Sequence, residues 1–448
     1  MSQDLAALTD RMLQAARKAG AESADALAVD GTSVSIDVLG GKLEHAERSE
    51  GVDIGLRVLV GQKQALVSSS LFDDATLATM AERAVAMARE APEDPNIGLA
   101  DPSQMAKDWN LDALELFDDT PEPAPATLEE DAKRAETAAL AKDGITQVQS
   151  AAAGYGQRRI HLATSNGFSG GYKRSSRSLS CVAITGEGTK MERDHYGEAR
   201  VFQGDLPSPE DVGRIAAERT LARANARRPK TGSYPVIFDE RISSSLIGHL
   251  LAASNGMMVS RGSSWLIGKL GEQILPEGLS ITENPHRPRI SGSKPFDGEG
   301  LPTAQRDIVR DGVLQGWTLD LANARKLGME STASASRGTS GPPSPSVSNI
   351  ALTQGDRSLQ QLFEEMGTGL WITSMIGSTI NPNTGDYSRG ASGIWVENGE
   401  PQYAVNECTV AGNLLDMLAR IQPANDARTH LSRVVPSLLV EGLTLAGD

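Results

Sequence analysis

Hydrolytic or metal chemistry needs histidines, cysteines, acids or activated hydroxyls that converge. The chain has six histidines, His45, His161, His195, His249, His286 and His430, scattered so that no two lie within five residues. Neither HExxH nor HExxxH occurs, so no helix offers two imidazoles and a general-base glutamate to one zinc ion. There is no Walker loop, no G-x-G-x-x-G after a strand and no G-x-S-x-G elbow. Ser243, Ser244 and Ser245 lie near His249, but no acid stands ready to orient the imidazole as a triad requires. Cys181 and Cys408 lack CxxC spacing and are too few for a disulfide framework, so both read as buried, inert thiols. Tyr172 to Arg177 (YKRSSR) is a small basic cluster that reads as solvated surface.

The elements that must position these groups follow from periodicity. Leu5, Leu8, Met12, Ala15 and Ala19 form one stripe of a helix over 4–19, stopped by Gly20. Val34, Ile36 and Val38, then Val52 to Val60, alternate with polar residues on either side of Gly40-Gly41 and predict an antiparallel meander with one buried face. Asp73 or Asp74 caps a helix carrying Leu77, Met80, Ala84 and Met87. Asp118–Ala126 (DDTPEPAPA) reads as a stiff linker, followed by a capping box at Thr127-x-x-Glu130. Asn166-Gly167 signals a hairpin, and Ser208-Pro209 opens a helix that ends near Ala226. RRPKTG (Arg227–Gly232) is the best domain boundary.

Beyond it, Tyr234–Asp239 is a strand, and a helix from about Glu240 to Asn255 is stopped by Gly256. On that helix Ile242, Leu246, His249, Leu250 and Ala253 share a face, so His249 reads as a core or interface histidine with one hydrogen-bonded ring nitrogen. Asp311-Gly312 and Asn398-Gly399 mark hairpins, and Ser358-x-x-Gln361 caps a short helix. Ser331–Ser348 is rich in Ser, Gly and Pro and reads as a mobile loop. A polar loop (Asn381–Gly390), a hairpin and a helix capped by Asn413 form one unit over Gly377–Leu418, and Leu438–Leu445 is positioned to close a sheet.

The 448 residues exceed one ordinary core, and the 43 basic against 58 acidic side chains give a net charge of −15. That balance argues against nucleic acid or an anionic membrane surface as partner and fits a cytoplasmic protein. The expected fold class is α+β. An N-terminal α+β domain (1–226, two subregions split near 118–126) carries an antiparallel sheet with flanking helices. A β-rich, barrel-like domain with a few helices follows (232–448).

Several stretches resemble the TldD/PmbA family, and within it the PmbA (TldE) branch. They are LIGHLLAASNG (Leu246–Gly256), GKLGEQILPEGLSI (Gly268–Ile281), PFDGEG (Pro295–Gly300), ARKLGMEST (Ala324–Thr332), EEMGTGLWIT (Glu364–Thr373), TGDYSRGASGIWVENGE (Thr384–Glu400) and VAGNLLDML (Val410–Leu418). The TldD branch of the family implies a zinc peptidase with an HExxxH helix and a later cysteine ligand. Here the matching helix reads Ser244-Ser245-Leu246-Ile247-Gly248-His249, so only the last histidine is present, and ARTHLSRVVPSLLVEG has no cysteine.

The resemblance therefore implies the partner that lacks the zinc motif. It would hold no metal and no catalytic residue of its own, and would pair with a zinc-bearing TldD-type subunit to trim or degrade small unfolded peptides. His249, Asn381, Asp386, Tyr387 and Arg389 are the residues expected at a peptide contact or at the interface of a dimer. Two alternatives are a stand-alone homodimeric peptide-binding or regulatory protein, and an autonomous peptidase with a cryptic site.

Overall fold

Asp4 starts the first helix by accepting from the N–H groups of Ala6 and Ala7, and Gly20, at φ 96°, ends it. The computed structural model describes residues 4–448, the Ser378 side chain excepted; Met1–Gln3, which the sequence reading includes in the first domain, lie outside them. In chain order the first half holds α1 (Leu5–Ala19), β1 (Ser23–Leu39), β2 (Lys42–Val60), β3 (Lys63–Ser69), α2 (Asp74–Glu90) and α3 (Leu111–Leu114). Then come α4 (Pro125–Leu140), β4 (Ile145–Thr164), β5 (Ser169–Thr185), β6 (Glu192–Arg200) and α5 (Pro209–Leu221).

The strands make a six-stranded antiparallel sheet in the order β3-β2-β1-β4-β5-β6. Alternation along β1 divides the work between its faces. Ala24, Ala26 and Ala28 pack under α1 and α2, and Val34, Ile36 and Val38 pack under α4 and α5. Leu27 and Val29 point the other way, onto Phe296 and Leu301. One sheet thus carries helices on one face and the rest of the chain on the other.

The second half runs β7 (Gly232–Phe238), α6 (Glu240–Ala253), α7 (Gly256–Ser260), β8 (Ile281–Glu283), β9 (Arg306–Arg310), β10 (Val313–Leu314), α8 (Leu321–Leu327), β11 (Ala335–Ser336), β12 (Ser344–Pro345) and β13 (Ile350–Leu352). It continues with α9 (Leu359–Met366), β14 (Gly369–Ile380), β15 (Asp386–Glu397), β16 (Glu400–Asn413), α10 (Leu414–Leu418), β17 (Gln422–Pro423), β18 (Arg433–Val434) and β19 (Leu438–Ala446). The strands β16-β15-β14-β7-β19 lie side by side, and β19 pairs back onto β16, which closes a barrel. Leu246, Ile247 and Leu250 of α6 join its core with Val236, Leu370, Ile372 and Val440. The fold is therefore α+β, with the antiparallel sheet first and a barrel in the C-terminal half. Asn398 (φ 53°) and Gly399 (φ 78°) make the turn between β15 and β16 that their types demand.

Several local expectations are corrected. The helix expected at a Thr127 capping box starts earlier, at Pro125, and its N-cap Ala124 makes no side-chain bond. Proline at the first turn has no N–H to satisfy and a φ already set for helix, so it opens the helix itself. The helix expected to run to Ala226 ends at Leu221. Gly256 does not stop the long helix but begins α7, where a side chain would collide with Leu319 and the Thr318 carbonyl.

The segment 331–348 is anchored rather than free. β11 pairs with β12, Ala335 donates to Asp297 Oδ2 at 3.1 Å, and Asn255 Nδ2 donates to the Pro345 carbonyl at 2.8 Å. Nor is YKRSSR all surface. Arg177 is fully buried, stacks 4.1 Å over the Tyr155 ring and donates to Thr120. Strand alternation sends this one residue of the basic cluster inward.

Candidate functional site

α6 is set by its N-cap. Asp239 Oδ1 accepts from the Arg241 N–H at 3.0 Å, and Asp239 Oδ2 accepts from Trp371 Nε1 of β14 at 2.9 Å, which ties the helix start to the barrel. Two turns on, the half-buried His249 ring meets Tyr387 of β15 edge to face, with centroids 5.8 Å apart. Tyr387 is buried; its hydroxyl lies 3.4 Å from Met375 Sδ, and burial pushes its pKa up to about 12. Arg389 lies two residues along β15 and donates from Nε to the Gly377 carbonyl at 2.7 Å. Burial first, and then the Arg389 charge, lower the His249 pKa to about 4. His249 Nε2 and the Ser245 hydroxyl are both buried without a hydrogen-bond partner. The one hydrogen bond expected for His249 is thus not made at Nε2.

His249, Tyr387 and Arg389 therefore share one place, beside the first residues of β15. Asn381 lies in the turn between β14 and β15, and Asp386 is the first residue of β15, next to Tyr387 in the chain. Asn381 Oδ1 accepts from the Asn383 N–H at 3.0 Å, and Asp386 accepts from Thr384 Oγ1 at 2.7 Å and from Asn413 Nδ2 at 3.3 Å. Both are exposed and both brace a turn.

The donor set around His249 does not fit a zinc ion. Serine hydroxyls stand at positions 244 and 245, and these are poor zinc ligands beside imidazole or thiolate. The Arg389 guanidinium disfavours a second positive charge at the ring. Among the described residues no group of three or more His, Cys, Asp or Glu is arranged to hold a metal. Cys408 donates its S–H to the Ala391 carbonyl, and burial pushes its thiol up to about 11. Cys181 is pushed to about 12 by burial and then by Glu136. Neither thiol is poised as a ligand or nucleophile.

Sequence reasoning missed a second cluster, on the sheet face opposite the helices. Asp25 of β1 accepts from Arg57 Nε of β2 at 2.7 Å and also pairs with Arg337, which follows β11. All three side chains are at most 5% exposed. Asp297 nearby accepts from the N–H groups of Glu299, Leu301 and Ala335. The available signal was a charge at an inward position of an otherwise apolar strand, Asp25 within Ala24–Ala28 and Arg57 between Leu56 and Val58.

Family models match along most of the chain. That for the PmbA/TldA metallopeptidase C-terminal domain matches residues 231–447, that for the central domain 118–224, and that for domain 1 24–88. The metalloprotease PmbA of Escherichia coli O157:H7 is 37% identical over 421 residues, covering 93% of this chain and 90% of its own. Among solved structures, a Bacteroides thetaiotaomicron protein proposed to modulate DNA gyrase superposes with a TM-score of 0.92 at 28% identity, covering 100% of both chains. TldE from Thermococcus kodakarensis shares the fold, with a TM-score of 0.84 at 20% identity, covering 98% of this chain and 100% of its own.

Proposed function

Because the chain belongs to the PmbA/TldD family of metallopeptidases, we propose that it is the subunit without metal in a two-subunit peptidase, partnered by a zinc-bearing TldD-type chain and acting on small unfolded peptides. The observation that carries this reading is the His249 site. A single imidazole, held neutral by burial and by Arg389, shares its helix with serines at 244 and 245, where a metallopeptidase helix would present a histidine and a glutamate. One imidazole alone does not retain zinc at an open, water-activating position.

The role left to this chain is architectural. A closed pair of subunits that buries the partner's metal admits extended peptides and excludes folded proteins. His249, Tyr387 and Arg389, with the Asn381–Asp386 turn beside them, are the residues proposed for the wall facing the partner. Exposed Ile376, at the bulged end of β14, lies next to them. A net charge of −15 and two buried free cysteines suit a cytoplasmic setting, and no described helix is long and apolar enough to cross a membrane.

The test has two arms. The chain purified without chelator should carry far less than one equivalent of zinc, and peptidase activity should appear only on mixing with an HExxxH-bearing relative. Stoichiometric zinc that is lost in His249→Ala, or activity from this chain alone, would overturn the reading.

A further inference from the structure

A cavity of about 780 Å³ lies between the helix-free face of the first sheet and the segments 294–298 and 335–339. That is within the usual range for small-ligand sites, roughly 300–1,000 Å³. No residue of the His249 cluster lines it. Its wall includes five consecutive residues of β2, 49–53, drawn from both faces of the strand, so the cavity reaches the strand's edge.

That edge is free. Among the described residues, β3 pairs with β2 only over Ile54–Val60, and over 42–53 the backbone of β2 is hydrogen-bonded to β1 alone. β3 turns away after Ser69, opposite Ile54, and Ser70 lines the cavity at the point where the vacant edge begins. Paired Gly31 and Gly51 leave the strand surface bare there, and a Cβ on Gly51 would meet nothing within 4 Å.

The opposite wall carries Arg337 and Lys294 beside the Asp297 carboxylate, with Glu50 and Asp53 on the β2 side, and Arg337 is incompletely paired. The Arg337 side chain is 2% exposed; one terminal nitrogen pairs with Asp25, while Nε and the other terminal nitrogen are buried with no acceptor among the described residues. Guanidinium nitrogens left so in a native fold are met by an ordered water, an ion or a bound group. Lys294, which also lines the cavity, donates to the Ala335 carbonyl at 3.2 Å, and burial holds its ammonium below the usual lysine range. Arg158 adds a third cation to the lining.

We propose that this cavity is a second peptide site. A short extended peptide adds to the free edge of β2 and delivers its C-terminal carboxylate to Arg337 and Lys294. Main-chain bonds along β2 make the affinity independent of sequence, and the carboxylate fixes the register. The proposal rests on the reading that the chain handles peptides, but its binding test needs neither the partner nor zinc.

The experiment is calorimetric titration of the full chain with a short unstructured peptide bearing a free C-terminus, the same peptide amidated, and inorganic phosphate. The free acid should bind, and amidation should weaken binding about tenfold or more, as loss of a charge-assisted hydrogen bond does. Lys294→Gln should weaken it to a similar degree, and Gly51→Phe, which fills the cavity without altering a charge, should abolish it. Both variants are to be compared with the parent for unfolding midpoint, because Arg337 itself is too embedded in the fold to replace cleanly. Equal binding of acid and amide, binding unchanged in Gly51→Phe, no binding of the free acid, or phosphate binding as tightly as the peptide would overturn the proposal. Absence of peptide binding by the parent chain, with peptidase activity intact in the mixed complex, would overturn this site alone. Binding without activity on mixing would leave the site and remove the two-subunit reading.

Discussion

Asp25 and Arg337 lie 312 residues apart in the chain and form a buried ion pair that joins the first sheet to the C-terminal half. Arg57 reaches the other oxygen of the same carboxylate. Burial alone would raise the Asp25 pKa, but Arg337 and Arg57 outweigh it and hold the carboxyl below its ordinary value of 3.8. Its stabilisation is therefore present above pH 3.8 and is lost as pH falls through the lower folded value. Asp25→Asn should cost about 3–5 kcal/mol, because it strands two buried guanidinium groups. Urea unfolding at neutral pH checks the loss, and the variant's stability should fall less steeply than the parent's in acid.

His249 runs the opposite way from a salt-bridged histidine. Its folded pKa of about 4 lies below the ordinary 6.5, so protonation is disfavoured in the fold. Stability on its account is complete above pH 6.5 and declines as pH falls from there toward 4. His249→Phe should remove about 1–2 kcal/mol of that decline and leave the neutral-pH midpoint nearly unchanged. An imidazole titration followed by NMR should find its midpoint near 4; a midpoint above 6.5 would contradict the geometry.

Gly213 of α5 is a point of close helix approach. A Cβ there would overlap the Ala135 carbonyl of α4, so Gly213→Ala should destabilise by about 1–3 kcal/mol despite alanine's better helix propensity. Thermal unfolding of the variant is the check, with Gly204→Ala as control, since that position has open space.

The Ser358 cap predicts a smaller effect. Its hydroxyl accepts from the Gln361 N–H at 3.2 Å while Gln361 Oε1 accepts from the Ser358 N–H at 2.9 Å. Ser358→Ala should cost about 1 kcal/mol, read from the denaturant midpoint at unchanged slope.

Much of the architecture was legible because local chemistry specified it. Asn398-Gly399 could only make a tight hairpin turn, the alternation in β1 and β2 fixed which side chains face the helices, and Ser358 announced its helix. What was hidden depends on partners remote in sequence. Nothing in Ser331–Ser348 indicates that Asp297 and Asn255 will satisfy its backbone, so composition alone made it a free loop. Nothing in YKRSSR says that Tyr155 will stack on Arg177. At the candidate site, the helical stripe placed His249 on the apolar face, but the edge-on contact with Tyr387, 138 residues later, belongs to tertiary structure.

The barrel has a temporal consequence. Its first strand, β7, sits between β14 and β19, and the ring is joined only when β19 also reaches β16. Residues 232–238 must therefore wait for the synthesis of about two hundred further residues before both their neighbours exist, roughly 10–40 s at ordinary translation rates. During that interval the exposed edge of β7 is open to wrong pairing. In the six-stranded sheet the wait is shorter: β1 pairs with β2 at once and gains its second neighbour when β4 ends at Thr164. A ribosome-bound chain arrested near residue 430 should accordingly present a folded first sheet and protease-sensitive barrel strands, and should be held by chaperones through Val236, Ile237 and Phe238, all completely buried once β19 arrives.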